Sequence, residues 1–188
     1  SLKHKNNSIP FLIVVLLLCY NQVVMSQVRQ CIITPDINGN VVIPDSQTKI
    51  GESDFYECSE LKTIFFPANS ALTTIEIGAF FRSGLTAIAI PKGVTTIARL
   101  AFFECLHLKE LTFDVDSALT DIVAQTFDKT IITSVIIPKS IKTLGGFNGC
   151  TKLKSVIFAT DSSLEIIASN AFTGAAISSI DIPMTVTS

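Results

Sequence analysis

The chain has 188 residues, of which 48% are hydrophobic, with 14 basic and 16 acidic residues and a formal net charge of −2. Without residues 1–26, 12 basic residues remain against 16 acidic ones, which gives −4. Nucleic acid is therefore excluded as an electrostatic partner, because such a partner requires a clustered positive face.

Residues 1–26 have the pattern of a secretory signal peptide. Two lysines stand among the first five residues, and residues 11–18 form an unbroken apolar run. Small or medium-sized residues then lead up to Gln27, so we expect cleavage before that residue. The alternative is an uncleaved signal anchor, since residues 9–25 have about the minimum length for a membrane span. The polar residue Asn21 interrupts that run and favours cleavage.

Residues 27–43 are predicted to form an N-terminal cap and the first strand, Asn40–Ile43. A turn is indicated at Asn38-Gly39, where both residue types favour chain reversal. Because the end repeats of a solenoid must be shielded from water, we expect this segment to cover the apolar face of the first repeat.

Residues 44–188 are organised by an internal repeat. Pro44 to Pro91 and Pro91 to Pro138 are each 47 residues, and Pro138 to Pro183 is 45. A phenylalanine marks the midpoint of each interval, so the unit is 23 or 24 residues in two alternating forms. The repeat predicts six coils of 21–24 residues: 44–66, 67–90, 91–113, 114–137, 138–158 and 159–182.

Every coil carries the same apolar residues. An aliphatic residue is followed by a phenylalanine, five positions later in five coils and three positions later in the fifth: Phe55, Phe80, Phe102, Phe127, Phe147 and Phe172. A segment of the form apolar-x-x-apolar-x-apolar comes next, and its last four positions alternate as in a strand. Around each phenylalanine we expect a short helical turn or irregular chain. Stacked coils with parallel strands predict a right-handed solenoid with one parallel β-sheet face.

This pattern resembles the BspA-type leucine-rich repeat, also called leucine-rich repeat family 5. The resemblance covers residues 44–182, and two departures are a fifth coil that lacks two residues around Gly145-Gly146 and Thr126 in place of alanine. The resemblance implies a solenoid fold. It also implies kinship with surface antigens of parasitic protists and of mouth and gut bacteria, which are associated with adhesion to host matrix and cells. The residues that carry it best are Pro91, Val94, Ile97, Ala101, Phe102, Cys105, Leu108, Leu111 and Phe113.

The cysteines are predicted to be structural. Cys58, Cys105 and Cys150 recur at one position of every second coil, so their spacing is about 10 Å, whereas a disulfide needs Cα atoms within about 7 Å. We therefore expect them to be free, buried thiols rather than a disulfide or metal array. Cys31 lies in the cap and has no obvious partner once Cys19 leaves with the leader, so it is either free or paired with another chain.

The outward positions of the strands form the candidate interaction face. One interpretation is a flat surface with a lysine row and an apolar margin, suited to a protein or an acidic glycan. The other is an ordinary solvated face, whose lysines are kept two coils apart to limit repulsion. The candidate residues are Lys62, Phe65, Lys109, Glu110, Ile136, Lys154 and Ile157.

No pattern in the sequence predicts catalysis, a cofactor or a metal site. His107 is expected to be exposed, and no Ser or Cys motif accompanies it. The recurring pairs Asn69-Ser70, Asp116-Ser117 and Asp161-Ser162 offer too few ligands per coil for calcium, and side-chain-to-backbone turns explain them better.

The sequence thus predicts a non-enzymatic, secreted or cell-surface protein that binds other proteins, with membrane contact only through an uncleaved leader or through missing C-terminal sequence. Adhesion to host cells or extracellular matrix is implied by the resemblance. The alternative is a structural module that self-associates, because residues 183–188 begin a seventh coil without a polar cap and would leave a parallel edge exposed.

Overall fold

The computed structural model describes residues 31–187, which form a parallel-sheet solenoid of about six turns, as predicted. The predicted signal peptide, residues 1–26, lies outside the described residues. Residues 31–187 contain no helix, and therefore none that is able to cross a membrane. Their strands are β1 (Asn40–Val42), β2 (Lys49–Ile50), β3 (Thr63–Phe65), β4 (Thr74–Ile75), β5 (Ala87–Ile90), β6 (Thr96–Ile97), β7 (Glu110–Phe113), β8 (Asp121–Ile122), β9 (Ser134–Ile137), β10 (Thr143–Leu144), β11 (Ser155–Phe158) and β12 (Ile166–Ile167).

The odd-numbered strands lie side by side and are called the broad sheet. Strands β1, β3, β5 and β7 pair in parallel in that order, and β11 pairs with β9. Equivalent residues of successive coils stand next to each other, as Ile88 does with Leu111 and Val135 with Val156. These four side chains are buried while their strand neighbours face outward, so the predicted alternation is confirmed.

The even-numbered strands form a second, narrow sheet that the sequence did not predict. Its two parts run in the orders β2-β4-β6 and β8-β10-β12. Each strand ends on the aliphatic residue that opens the repeat, which is buried in all but the last strand, so Ile75 pairs with Ile50 on one side and Ile97 on the other. A two-residue strand shows no alternation, which is why its sequence carries no strand signal.

The predicted phenylalanine column is confirmed. Along the order Phe55, Phe80, Phe102, Phe127, Phe147, Phe172, successive ring centroids are 4.9, 4.9, 5.0, 5.4 and 5.9 Å apart, and every pair is stacked. The first five side chains are fully buried, and each contributes roughly 1.5–3 kcal/mol by leaving water. Like side chains of successive coils therefore share one dry interior.

Left-handed turns, rather than a helical turn, reverse the chain around the phenylalanines. In the third coil Leu100 (φ 64°) and Glu104 (φ 55°) lie two residues before and after Phe102. The fifth coil is shorter and uses Gly146 (φ 76°) immediately before its phenylalanine. Left-handed residues occur at equivalent sites of other coils: Ser53, Glu57, Gly78, Arg82, Gln125, Lys129, Gly149, Asn170 and Gly174.

A disulfide corrects two predictions about the cysteines. Cys31 is bonded to Cys58, with 5.1 Å between their Cα atoms. Cys31 is therefore neither free nor paired with another chain, and Cys58 is not a free thiol. The spacing of about 10 Å applies to equivalent positions two coils apart, and Cys31 has no equivalent position in the repeat. The cap lies directly on the first coil, where the Ile32 N–H donates to the Asp54 carbonyl at 3.0 Å.

Both sheets are interrupted at one junction, which is called the seam. Strand β7 makes no ladder with β9, and β6 makes none with β8, so the third and fourth coils lack sheet pairing. Links remain around the phenylalanine column, where the Phe102 N–H donates to Thr126 at 2.9 Å and the Glu104 N–H donates to Asp128 at 3.0 Å. Two further bonds join these coils outside the ladders, from the Ala118 N–H to Lys92 at 2.9 Å and from the Ile131 N–H to Leu108 at 3.1 Å.

The strand predicted in the sixth coil is not formed. Residues 177–182 make no ladder with β11, although Ile177 and Ile180 still pack against the core. Apolar spacing decides which side chains face inward, but a strand also requires backbone pairing with its neighbour.

Candidate interaction face

The seven predicted residues all lie on the outer surface of the broad sheet. Their side chains are exposed, and each stands in a strand or immediately before one. Side chains alternate across a strand, so burial of Ile64, Leu111, Val135 and Val156 turns their strand neighbours Phe65, Glu110, Ile136 and Ile157 to solvent. The three lysines precede their strands and are also exposed. The structure therefore places them on one surface, in the arrangement expected from the repeat.

The three lysines stand immediately before β3, β7 and β11. Their backbone N–H groups donate to the preceding coil: Lys62 to Gly39 at 2.7 Å, Lys109 to Thr86 at 2.9 Å, and Lys154 to Thr133 at 2.9 Å. Since each is two coils from the next, the spacing is about 10 Å. None of the three makes an ion pair within the part of the chain that the structure describes. Their charges are thus available to a partner.

The central outward column of the broad sheet carries apolar side chains at both ends. Phe65 is 51% exposed and is paired in register with Val42, which is 71% exposed. Ile136 and Ile157 are 61% and 53% exposed and are likewise adjacent. Val42 belongs to this surface although it was not among the candidates, and its place in the predicted first strand was the signal for it.

Two hollows lie where the broad-sheet strands end. One, of about 480 Å³, is lined by Phe65, Ile90 and Pro91, and the other, of about 740 Å³, by Phe113, Ile136 and Pro138. Both occur at coils that end in Ile-Pro, between coils that end in phenylalanine. The two-coil period of the sequence therefore produces an uneven, largely apolar edge beside the exposed column.

The charge of this surface differs from that of the rest of the chain. Residues 31–187 contain 11 basic and 16 acidic residues, yet the candidate face has three lysines and only Glu110 as an acid. Most of the acids stand in turns and on the opposite side, as Asp45, Asp116 and Glu104 do. A chain that is acidic in total thus presents a weakly basic sheet.

The two remaining cysteines have thiols of low reactivity. The Cys105 Sγ donates to the Phe80 carbonyl at 2.9 Å, and burial raises the pKa of Cys105 to about 12. Cys150 donates to the Phe127 carbonyl at 3.3 Å, and burial likewise raises the pKa of Cys150. A thiol that stays protonated is neither a nucleophile nor a metal ligand, so Cys105 and Cys150 are the free, buried structural thiols that were predicted.

The recurring serines and His107 are the other residues that could contribute to a functional site. The Ser70, Ser117 and Ser162 hydroxyls each accept a backbone N–H two residues on, at 3.3 Å, which confirms the predicted local turns. His107 is exposed, and no cluster of three metal-ligating side chains occurs within residues 31–187.

A column of aromatic and charged side chains was not predicted from the sequence. Tyr56, Phe81 and Phe103 stack at 5.1 and 5.5 Å between centroids, each one residue after a core phenylalanine. The next residues, Glu57, Arg82, Glu104 and Lys129, alternate in charge and form ion pairs along the solenoid. The signal was the aromatic-charged pair that follows each of the first three core phenylalanines.

Comparison with known proteins finds one matching family model and several solved structures of similar fold. Residues 36–146 and 120–188 match the family model described as BspA type leucine rich repeat region, in six copies. A leucine-rich repeat protein of Bacteroides ovatus is 28% identical with a TM-score of 0.65, over 77% of this chain and 37% of that one. One from Eubacterium ventriosum is 26% identical with a TM-score of 0.58, over 79% of this chain and 45% of that one. No curated protein matches the chain.

The chain spans less than half the length of these two bacterial proteins. The match to the family model nevertheless includes every strand of the solenoid, its phenylalanine column and the whole candidate face. On these grounds, the chain belongs to the BspA-type leucine-rich repeat family.

Proposed function

We propose that this chain is a non-enzymatic binding protein, secreted or displayed on the cell surface, that adheres to host cells or extracellular matrix through the broad sheet. The observation that carries the proposal is the row Lys62, Lys109 and Lys154, three lysines without ion-pair partners among residues 31–187, beside exposed Phe65 and Ile136. Lysines that are not neutralised within the chain favour a partner with acidic groups.

An extracellular location is supported by two features. The leader pattern of residues 1–26 is that of an exported protein. The Cys31–Cys58 disulfide is a bond that persists in oxidising compartments and is rare in the cytosol.

The partner surface would be acidic with apolar side chains. Carboxylates spaced about 10 Å apart would meet the lysine row, a distance spanned by three residues of extended chain. Apolar groups would cover Phe65 at one end and Ile136 with Ile157 at the other. Such an arrangement combines a charged rim with apolar anchors, as protein interfaces commonly do.

The test is binding to a panel of purified extracellular-matrix proteins, measured by surface plasmon resonance with the unaltered chain and with Lys62→Glu/Lys109→Glu/Lys154→Glu. We expect the triple variant to bind at least tenfold more weakly and the residual affinity to depend less on salt. Lys142→Glu is the matched control for Lys109→Glu, because Lys142 is exposed and immediately precedes a strand of the narrow sheet.

Equal binding by the triple variant would remove the lysine row from the proposal. Failure of the unaltered chain to bind any matrix protein would overturn the matrix as partner. Equal losses in Lys109→Glu and Lys142→Glu would show that total charge, rather than the broad sheet, determines binding.

A further inference from the structure

A polar notch opens at the shortest coil of the solenoid. The fifth coil lacks counterparts of Ala124-Gln125 in the fourth coil and of Ser169-Asn170 in the sixth. These two turns therefore stand on either side of Gly146, and the space between them, about 290 Å³, is called the notch. Because the shortening is unique to the fifth coil, the notch is a product of this sequence and not of the repeat.

A carboxylate lies in the wall of the notch. Asp128 is only 6% exposed, and its Oδ1 accepts the N–H of Asn148 at 3.1 Å. Desolvation raises the pKa of Asp128, against the smaller effects of the Asn148 and Gln125 N–H groups. Within residues 31–187 it has no ion-pair partner. A carboxylate has about four lone-pair sites, so two backbone donors leave it able to accept more hydrogen bonds.

The other side chains of the notch supply both donors and acceptors. Arg99 reaches over from the third coil, and its Nε donates to Gln125 Oε1 at 2.6 Å, which fixes the guanidinium beside the notch. Asn170 Oδ1 accepts from Thr173 at 3.2 Å, which leaves its amide nitrogen as a donor, and the Ser169 hydroxyl is exposed. One positive and one negative group together give the notch no net charge.

From this arrangement we propose that the notch binds a single neutral saccharide unit. A ligand with hydroxyls on neighbouring carbons both donates to Asp128 and accepts from Arg99 and Asn170, which uses both charged groups and the free amide nitrogen. A simple anion would be repelled by Asp128 and a simple cation by Arg99. The notch is near the lower limit of small-ligand sites, about 300–1,000 Å³, which suits one sugar ring rather than a longer chain.

This site is independent of the proposed adhesion face. None of its residues belongs to the broad sheet, since 124–128, 146–148 and 169–171 lie in the turns around the core phenylalanines, outside every strand. Its ligand would therefore bind whether or not the broad sheet is occupied, and either function can fail without the other.

The test is saturation-transfer NMR on the chain with methyl glycosides of glucose, galactose, mannose and N-acetylglucosamine. Two variants provide the comparison. Asp128→Asn keeps an oxygen for the Asn148 N–H but removes the charge. Replacement of Gly145-Gly146 by Ala-Ser-Asn-Ala, the sequence of residues 168–171, gives the fifth coil the same turn as the sixth and fills the notch.

We expect at least one glycoside to bind with a millimolar dissociation constant, and both variants to lose at least tenfold in affinity while their unfolding midpoints stay level or rise. Absence of a signal from all four glycosides would overturn the proposal. So would equal signals from the filled-notch variant, because they would place the binding elsewhere on the chain.

Discussion

Glu104 and Lys129 form an ion pair across the seam, with 2.6 Å between Oε1 and Nζ. The other carboxylate oxygen of Glu104 contacts Arg82 Nε at 2.6 Å, and Arg82 reaches Glu57 at 3.6 Å. The Lys129 ammonium also stands 5.0 Å from the centroid of the Phe103 ring. Four coils are thereby linked along one side, including the junction at which neither sheet is continuous.

The first prediction concerns Glu104→Gln, which should lower the free energy of unfolding by about 1 kcal/mol at pH 7, the upper range for exposed pairs that act as a network. The hydrogen bonds from Lys129 and then Arg82 hold the pKa of Glu104 below its usual 4.5. Its contribution is therefore complete above that value and is lost as the pH falls through the lowered pKa. Urea unfolding at pH 7 and pH 3 measures both effects.

At pH 3 the difference between Glu104→Gln and the unaltered chain should shrink, because the unfolded carboxylate then binds a proton more readily than the folded one, which favours unfolding of the unaltered chain. Glu165→Gln serves as the control, since Glu165 is exposed and has no ion pair among the described residues. A difference that is the same at both pH values would contradict the electrostatic origin of the effect.

A second prediction follows from the Cys31–Cys58 disulfide. The bond closes a loop with a sequence separation of 27, so reduction, or the double change Cys31→Ala/Cys58→Ala, should cost about 3 kcal/mol of stability. Urea unfolding with and without reductant measures the difference. The double variant should be insensitive to reductant, which makes it the control for other effects of the reagent.

The same experiment distinguishes the two kinds of cysteine. Because burial raises the pKa of Cys105 to about 12 and also raises that of Cys150, neither should react with a thiol reagent at pH 8 in the folded protein. Both should react once urea unfolds the chain. Rapid labelling of either residue under native conditions would show that the column is open to solvent.

The sequence was sufficient for the repeat because stacking requires like residues at like positions. Spacing alone predicted the phenylalanine column, and alternation predicted the exposed surface that contains Phe65 and Ile136. The narrow sheet escaped because its strands have two residues, too few to show a period. The last strand was predicted and is absent, since Ile177 and Ile180 keep their apolar contacts without a backbone ladder.

The sequence could not predict contacts between positions that are not equivalent in the repeat. The cap has no equivalent in the repeat, so nothing in the spacing indicates that Cys31 meets Cys58. The missing residues at Gly145-Gly146 were visible, but only the structure shows that the turns around Gln125 and Asn170 enclose Asp128 there. In each case the contact joins a regular coil to a segment that departs from the repeat, either the cap or the shortened fifth coil.

The third prediction separates backbone strain from steric clash at two left-handed glycines. A Cβ at Gly78 (φ 60°) would have room, with its nearest neighbour the Ser53 Oγ at 3.8 Å, so Gly78→Ala should cost about 1 kcal/mol, from the left-handed conformation alone. A Cβ at Gly146 (φ 76°) would stand 2.5 Å from the Val123 carbonyl oxygen. Because that atom belongs to the backbone of the neighbouring coil, Gly146→Ala should cost about 3 kcal/mol or more.

Urea unfolding of the two variants measures both costs, and Ser53→Gly provides the reciprocal control. Ser53 (φ 61°) occupies in the first coil the position that Gly78 has in the second, so glycine there should leave stability unchanged or raise it by up to about 1 kcal/mol. Equal costs for Gly78→Ala and Gly146→Ala would mean that the backbone of the fourth coil at Val123 can move away from the added methyl group at little cost in stability. The close approach of the shortened fifth coil to its neighbour would then not be what makes glycine necessary at position 146.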